Sequence, residues 1–198
     1  MLVIGVTGNI GSGKSTVCQI LAKLGAAIID ADKLGHETYR THSQAWQELV
    51  AAFGKDIVKS NYEIDREKLG RIVFSHSDAL ARLNQIVHPK AYRLAQERIE
   101  ACRLQGVKAV ALEATLLIEA KWIDLVNKIW LVVAHESIVV QRLAPQEGGN
   151  ESQILARLKS QMPTEGKMKY ADELICNDGS LSQLESRVTQ LWHKLNIT

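Results

Sequence analysis

The most constraining feature of the sequence is a run of closely spaced glycines near the amino terminus, GVTGNIGSGKST at residues 5–16. Gly8, Gly13, Lys14 and Ser15 fit the pattern G-x-x-x-x-G-K-[ST] of a phosphate-binding loop. In such a loop, backbone N–H groups converge on an anion, and glycines leave space for phosphate oxygens. The pattern predicts a nucleoside triphosphate site, with Lys14 on the β- and γ-phosphates and the Ser15 hydroxyl on Mg²⁺.

The sequence on either side of the glycines agrees with this interpretation. A short apolar run of strand type precedes them at residues 2–6, and residues 15–24 carry apolar side chains at helical spacing. The motif therefore lies between a strand and a helix, whose dipole and unpaired N–H groups favour an anion. The glycine spacing does not match the dinucleotide-binding pattern G-x-G-x-x-G.

The order of the remaining segments predicts an α/β protein of the P-loop NTPase type, with five parallel strands and helices on both faces. Strand candidates cover residues 2–6, 26–30, 107–113, 128–134 and, more weakly, 172–177. Helical periodicity covers residues 43–53, 65–75, 78–104 with a break at His88-Pro89, 135–143, 151–161 and 180–195.

Two stretches depart from this alternation within what we expect to be a single domain, residues 1–198. Residues 36–105 contain no strand candidate, which predicts a helical insertion that holds a second substrate. The predicted lid region, residues 142–167, includes an irregular stretch at residues 143–150 with a proline and the Gly-Gly pair, which fits a lid over the phosphates or a plain surface loop. Cations in or beside this stretch could neutralise charge on a transferring phosphoryl or be ordinary solvated charges: Arg142, Arg157, Lys159, Lys167 and Lys169.

Polar residues at the predicted strand ends are the candidates for chemistry, because ligands of open α/β sheets bind beyond the carboxyl ends of the strands. Asp30 and Asp32 follow the second strand, and on an extended chain they would point to the same side. Either could take a proton from an acceptor hydroxyl or cap the next helix. Glu113 ends the third strand, either as an acid that holds Mg²⁺ or as a solvent-facing acid. Asn177 ends the fifth strand candidate and is a further candidate.

Composition restricts the class of partner. The 198 residues carry 24 basic and 22 acidic side chains, a net charge of +2, and few aromatic residues, which argues against a nucleic-acid partner. Three widely spaced cysteines are typical of reduced thiols in a cytoplasmic protein. The most apolar internal stretch carries two glutamates, which argues against a membrane span. We therefore expect a small-molecule substrate, and the oligomeric state is left open.

Beyond the phosphate loop, the sequence resembles the dephospho-coenzyme A kinase family in motifs that run in order along nearly the whole chain. They are GVTGNIGSGKSTV, IIDADKLGHE, DREKLGRIVF, IVHP at residues 86–89, LLIE at 116–119, RLKSQMP at 157–163 and YADELICNDG at 170–179. The resemblance implies transfer of the γ-phosphoryl group of ATP, with Mg²⁺, to the ribose 3′-hydroxyl of dephospho-coenzyme A. It also implies a five-stranded parallel core, a helical coenzyme-A-binding region and a lid.

The resemblance implies roles for particular residues. Asp32 rather than Asp30 becomes the catalytic carboxylate at the acceptor, assisted by Lys14. ATP contacts are implied for Gly8, Gly11, Ser12, Gly13, Lys14, Ser15, Thr16, Arg142 and Asn177. Acceptor contacts are implied for Asp32, Arg66 of DREKLG, His88 of IVHP and Leu116 of LLIE. Ser15 and Glu113 become the candidate ligands of Mg²⁺.

Three positions depart from the family pattern. Glu113 and Thr115 stand where the family carries Asp and Pro in D-V-P-L-L-F-E, and Gln146 replaces the second arginine of the lid motif R-L-x-x-R. An arginine on a transferring phosphoryl can contribute about 10³–10⁵ in rate. Either Arg142 or a lid lysine takes over that charge, or turnover is slower.

Two rival functions share the phosphate loop. One is another small-molecule or nucleoside kinase on the same core. The other is a GTPase switch or regulatory nucleotide-binding protein, which should carry the base-reading motif N-K-x-D. The only Asn-Lys pair, Asn127-Lys128, is followed by Ile and Trp inside a strand-like run, which argues against the switch.

Overall fold

The computed structural model describes residues 1–145 and 151–196. The chain divides into two compact units, one made of residues 1–30 and 98–198 and the other of residues 31–97. The second unit overlaps the predicted insertion at residues 36–105, but it begins five residues earlier and ends eight residues earlier. Its role as a substrate-binding insertion stays a prediction.

Five parallel strands form the sheet of the first unit, in the order β2-β3-β1-β4-β5. They are β1 (Leu2–Thr7), β2 (Ala27–Asp30), β3 (Ala109–Glu113), β4 (Lys128–Val133) and β5 (Glu173–Cys176). The predicted fold class, an α/β protein with five parallel strands, is confirmed. The order reverses at β1, which lies between β3 and β4, and such a switch point is where open α/β sheets bind ligands.

Nine α-helices lie in the described part of the chain. They are α1 (Lys14–Lys23), α2 (Ala31–Thr38), α3 (Gln44–Phe53), α4 (Arg66–Ser75), α5 (Ser77–Leu104), α6 (Glu136–Leu143), α7 (Glu151–Lys159), α8 (Thr164–Met168) and α9 (Leu181–Lys194). None of them is long and apolar enough to cross a membrane.

The core of the first unit lies on both faces of β1. On one face, Ile4 and Val6 are buried with side chains of α1 and α9, among them Leu21 and Val188. On the other face, a Cβ at Gly5 would lie 2.7 Å from a Leu117 methyl carbon, in the segment after β3. The phosphate loop therefore begins from a strand that is fixed by packing on both sides.

The second unit has its own apolar core, built from α3, α4, the first part of α5 and the segments between α2 and α4. Leu49, Ile57, Leu69 and Val73 are among the buried side chains of this core. Its α4 begins with Asp65, whose carboxylate accepts a hydrogen bond from the Lys68 N–H at 3.1 Å. Such a cap satisfies one of the unpaired N–H groups of the helix.

The predicted helix break at His88-Pro89 is wrong, because α5 continues through Pro89 over 28 residues. A proline inside a helix removes one backbone donor and crowds the preceding turn. Here the Lys90 ammonium donates a hydrogen bond to the Ile86 carbonyl at 3.1 Å and pairs with Glu48 of α3 at 2.6 Å. These contacts reinforce the turn that the proline weakens.

The condition under which Asp30 and Asp32 would point to the same side, an extended chain, is not met, because α2 begins at Ala31. Asp30 ends β2, and Asp32 lies in the first helical turn, where a carboxylate is favoured by the helix dipole. Gly35 in the middle of α2 is a poor helix former, which is why the sequence pattern did not predict this helix.

Candidate active site

The phosphate loop connects β1 to α1 through glycines that have left-handed or otherwise positive φ angles, 147° at Gly8 and 98° at Gly13. A Cβ at Gly8 would collide with the Val132 carbonyl oxygen, and one at Gly13 would collide with the Asn177 side-chain amide. The interpretation that these glycines make room for phosphate is therefore incomplete. At both positions, the direction a side chain would take is already filled by protein.

Lys14 lies at the first position of α1 and is 7% exposed. Its ammonium donates a hydrogen bond to the Asn9 carbonyl oxygen at 3.2 Å, so that the positive charge lies at the loop rather than in bulk solvent. Partial burial strengthens the attraction of such a charge for an anion, because solvent screens it less.

Ser15 and Glu113, the two predicted metal ligands, are in direct contact. The Ser15 hydroxyl donates a hydrogen bond to Glu113 Oε1 at 2.6 Å, between the first turn of α1 and the end of β3. Asp30 is the register partner of Glu113 on the neighbouring strand, so two carboxylates close adjacent strands. Burial, together with the Glu113 charge, raises the pKa of the nearby Cys18 thiol well above its ordinary range.

Asn177 and Arg142, predicted from the sequence to contact nucleotide, meet at the same loop. The Asn177 amide nitrogen donates to the Ser12 carbonyl oxygen at 2.8 Å, and Arg142 Nη2 donates to the Asn177 carbonyl oxygen at 2.8 Å. Arg142 Nη1 is buried and makes no hydrogen bond to any described residue. Because a buried cationic donor without a partner is costly, a hydrogen bond from this nitrogen to an added anionic ligand would be favourable.

The predicted lid, residues 142–167, is described in part. α6 and α7 pack through Val139, Leu143 and Ile154, and Ile10 of the phosphate loop packs against that cluster. Gln146, at which the family arginine is missing, lies outside the described residues. Lys167, predicted as a phosphate cation or a solvated charge, is neither of these: it is fully buried and pairs with Glu119 at 2.9 Å.

The residues predicted to contact the acceptor are divided between the two units. In the second unit, Asp32 is exposed, Arg66 is exposed at the start of α4, and His88 is half-buried in α5. Burial lowers the pKa of His88, and the charge of Asp32 opposes that shift. Leu116 belongs to the first unit, half-buried in the segment that follows β3.

The second unit contains a cavity of about 450 Å³. Its lining includes three cationic side chains, Arg40, Lys59 and Arg66, and two carboxylates, Glu63 and Glu67. The cations outnumber the carboxylates by one, which leaves the wall with a small excess of positive charge toward an anionic ligand.

The sequence reasoning did not identify Gln161 and Glu119 as parts of the site. Gln161 Oε1 accepts a hydrogen bond from the Ile10 N–H at 3.0 Å, and Glu119 Oε1 accepts one from the Met162 N–H at 3.1 Å. Both residues occur in the quoted segments RLKSQMP and LLIE, but a single Gln or Glu carries no spacing signal of its own.

The described residues contain no group of three or more His, Cys, Asp and Glu side chains that could hold a metal ion. The chain therefore offers the hydroxyl of Ser15 and the carboxylate of Glu113, two oxygen donors. That set fits Mg²⁺, which proteins commonly bind through one or two oxygen side chains together with substrate phosphates.

Comparison with known proteins connects this site to one family. The sequence model of dephospho-CoA kinase matches residues 2–183. The dephospho-CoA kinase of Geobacter metallireducens is 44% identical over 97% of this chain and 96% of its own length. A solved structure from Thermus thermophilus superposes with a TM-score of 0.80 at 35% identity, covering 98% of both chains. The dephospho-CoA kinase structure from Campylobacter jejuni gives 0.72 at 27% identity, covering 98% and 96%.

Proposed function

The chain belongs to the dephospho-CoA kinase family, and from that membership we propose that it transfers the γ-phosphoryl group of ATP to the ribose 3′-hydroxyl of dephospho-coenzyme A. The products are coenzyme A and ADP. The observation that carries the proposal is the phosphate loop at the strand-order switch, with Lys14, Ser15, Arg142 and Asn177 gathered at it in a member of this family.

The phosphate loop and its neighbours bind the triphosphate in this proposal. Backbone N–H groups from Gly11 to Thr16 and the start of α1 donate to phosphate oxygens. The Lys14 ammonium exchanges the Asn9 carbonyl for the β- and γ-phosphates. Arg142 supports the same role because its Nη1 is already desolvated, and it supplies a positive charge of the kind that is absent at Gln146.

Ser15 and Glu113 would hold Mg²⁺, directly or through water. When bound, the ion neutralises phosphate charge that would otherwise oppose attack at the γ-phosphorus. The 2.6 Å contact supports this assignment because it already brings the two oxygen donors together without the ion. The chain's own contribution is to hold these oxygens at the end of β3 and the start of α1.

Asp32 is the proposed base at the acceptor. The carboxylate orients the 3′-hydroxyl and takes its proton as the new oxygen–phosphorus bond forms and the bond to the ADP oxygen breaks. Asp32 is exposed, so a substrate hydroxyl can reach it. Burial lowers the pKa of His88, and the nearby charge of Asp32 acts in the opposite direction.

The cavity of the second unit is the proposed place for the acceptor's anionic part. Arg40, Lys59 and Arg66 offer charge to phosphate groups. Localisation in the cytoplasm accompanies this proposal, in keeping with the three widely spaced cysteines.

A direct assay tests the function. Purified protein is given Mg-ATP with dephospho-coenzyme A, adenosine, cytidine, uridine or gluconate in separate reactions, each followed by mass spectrometry. We expect phosphorylation of dephospho-coenzyme A alone. Asp32→Asn should reduce turnover by about 10²–10⁴ with ATP binding retained. Asp30→Asn is the matched control, two residues away, and should retain turnover.

The outcomes separate the parts of the proposal. A product from another acceptor keeps the kinase activity and removes the assigned substrate. Loss of turnover in Asp30→Asn but not in Asp32→Asn would show that Asp30, and not Asp32, is the base. ATP binding without any phosphorylated product supports a regulatory nucleotide-binding protein instead.

A further inference from the structure

Ile10, inside the phosphate loop, is held from outside the loop in two ways. Its side chain packs against the Val139, Leu143 and Ile154 cluster of α6 and α7. Its backbone N–H donates to Gln161 Oε1 at 3.0 Å, two residues after the end of α7. This N–H is therefore engaged by the protein and is not among the loop donors that face a ligand.

The residue after Gln161 is hydrogen-bonded to an ion pair whose lysine is fully buried and whose glutamate is partly buried. The Met162 N–H donates to Glu119 Oε1 at 3.1 Å, and the same oxygen lies 2.9 Å from the fully buried Lys167 ammonium. That ammonium also donates to the Thr115 carbonyl oxygen at 2.8 Å. Buried ion pairs are weak sources of net stability, and their best-attested use is to fix one arrangement of the groups around them.

The contacts close into a ring that returns to the loop. The Thr115 carbonyl oxygen also accepts from the Thr7 hydroxyl at 3.4 Å, and Thr7 is the last residue of β1. Thr7 and Ile10, three residues apart, are thus tied to each other through Thr115, Lys167, Glu119 and the 161–162 segment. All members of the ring belong to the first unit.

We propose that Gln161, held by the Glu119–Lys167 pair, is a positioning residue that fixes the first half of the phosphate loop before ATP binds. A loop that is ordered in advance loses less conformational freedom on binding, so its ligand binds more tightly. The inference deepens the proposed function, on which it rests for the identity of the nucleotide. The inference predicts that loss of the Gln161 contact weakens the binding of ATP but not the binding of the acceptor.

Gln161→Met tests the inference, because it removes the acceptor oxygen at similar side-chain length. The Kd for Mg-ATP, measured by calorimetry without acceptor, should rise about three- to tenfold, the range expected for one lost hydrogen bond. The KM for ATP should rise in parallel, with the KM for dephospho-coenzyme A and kcat at saturating ATP within about twofold of wild type. Gln190→Met, the same substitution on the exposed face of α9, is the matched control and should change neither constant.

A second variant tests the role of the ion pair. Glu119→Gln keeps an oxygen for the Met162 N–H but removes the charge opposite Lys167. It should also weaken Mg-ATP binding, and the double variant with Gln161→Met should be weaker by less than the product of the two single effects, because both act through one ring.

Unchanged Kd for Mg-ATP in Gln161→Met would overturn the inference, as would equal rises in both KM values with a lowered Tm, which indicate a structural role only. A wild-type protein that binds Mg-ATP but does not phosphorylate dephospho-coenzyme A refutes the proposed substrate, while the Kd comparison still decides this inference. A wild-type protein that does not bind Mg-ATP refutes both.

Discussion

Replacing Gly13 with alanine tests what the phosphate-loop glycine is for. Two costs are expected from the structure. The first is the backbone cost of a side chain at a φ of 98°, about 1–2 kcal/mol. The second cost comes from the collision of the new Cβ with the Asn177 amide. The amide must move away, and the buried Ser12 carbonyl oxygen then loses its hydrogen bond, which costs about 1–3 kcal/mol. The free energy of unfolding should therefore fall by about 2–5 kcal/mol.

Gly25→Ala is the matched control for this variant. Gly25 has a φ of 103°, nearly that of Gly13, but no atom lies within 4 Å of the position its Cβ would take. Its substitution should cost only the backbone part, about 1–2 kcal/mol. Urea unfolding of both variants without nucleotide measures the difference, which belongs to the contact with Asn177.

The assignment to Asn177 is checked by removing that side chain. In an Asn177→Ala background, the collision is absent, and Gly13→Ala and Gly25→Ala should become equal within about 0.5 kcal/mol. Equal costs already in the wild-type background would refute the reasoning. If the Gly13→Ala protein had unchanged stability but no longer bound ATP, the glycine would be needed only to leave room for the phosphates.

Three further predictions concern the chemistry of the same region. Ser15→Ala should raise the Mg²⁺ concentration needed for half-maximal ATP turnover, since only Glu113 remains as a ligand; an unchanged Mg²⁺ titration contradicts this. Iodoacetamide should label the exposed Cys176 and leave Cys18 unmodified in the native protein, because burial raises the pKa of the Cys18 thiol; comparable labelling rates would refute it. Burial lowers the pKa of His88 below its ordinary 6.5, so the unfolded chain binds the proton more readily and stability falls as the pH drops below 6.5. His88→Gln should reduce that loss in urea unfolding at pH 7.5 and 5.0, and an identical pH dependence would contradict the shift.

Much of the fold and part of the site could be predicted from sequence because their signals are local. The glycine pattern located the loop, and apolar runs located all five strands. Ser15 and Glu113 are 98 positions apart, yet the glycine pattern indicates Ser15, and the rule that ligands bind at the carboxyl ends of parallel strands indicates Glu113.

Other features depend on contacts that no local pattern records. The reason for Gly13 is a side chain from the end of β5, and the continuity of α5 depends on Lys90 reaching both its own turn and α3. Lys167 reads as a surface charge within its segment, because its partner Glu119 lies 48 residues earlier in the sequence. Tertiary structure decides each of these cases.

The strand order has a consequence for synthesis on the ribosome. β1 and β2 are not neighbours, because β3 lies between them, so neither can form its sheet hydrogen bonds until β3 has emerged. Residues 31–97, whose core is made by helices close in sequence, are complete before that point. We therefore expect the helical unit of the nascent chain to fold first, while β1 and β2 are still unpaired. The nascent kinase is most exposed to aggregation and to chaperone capture in that interval.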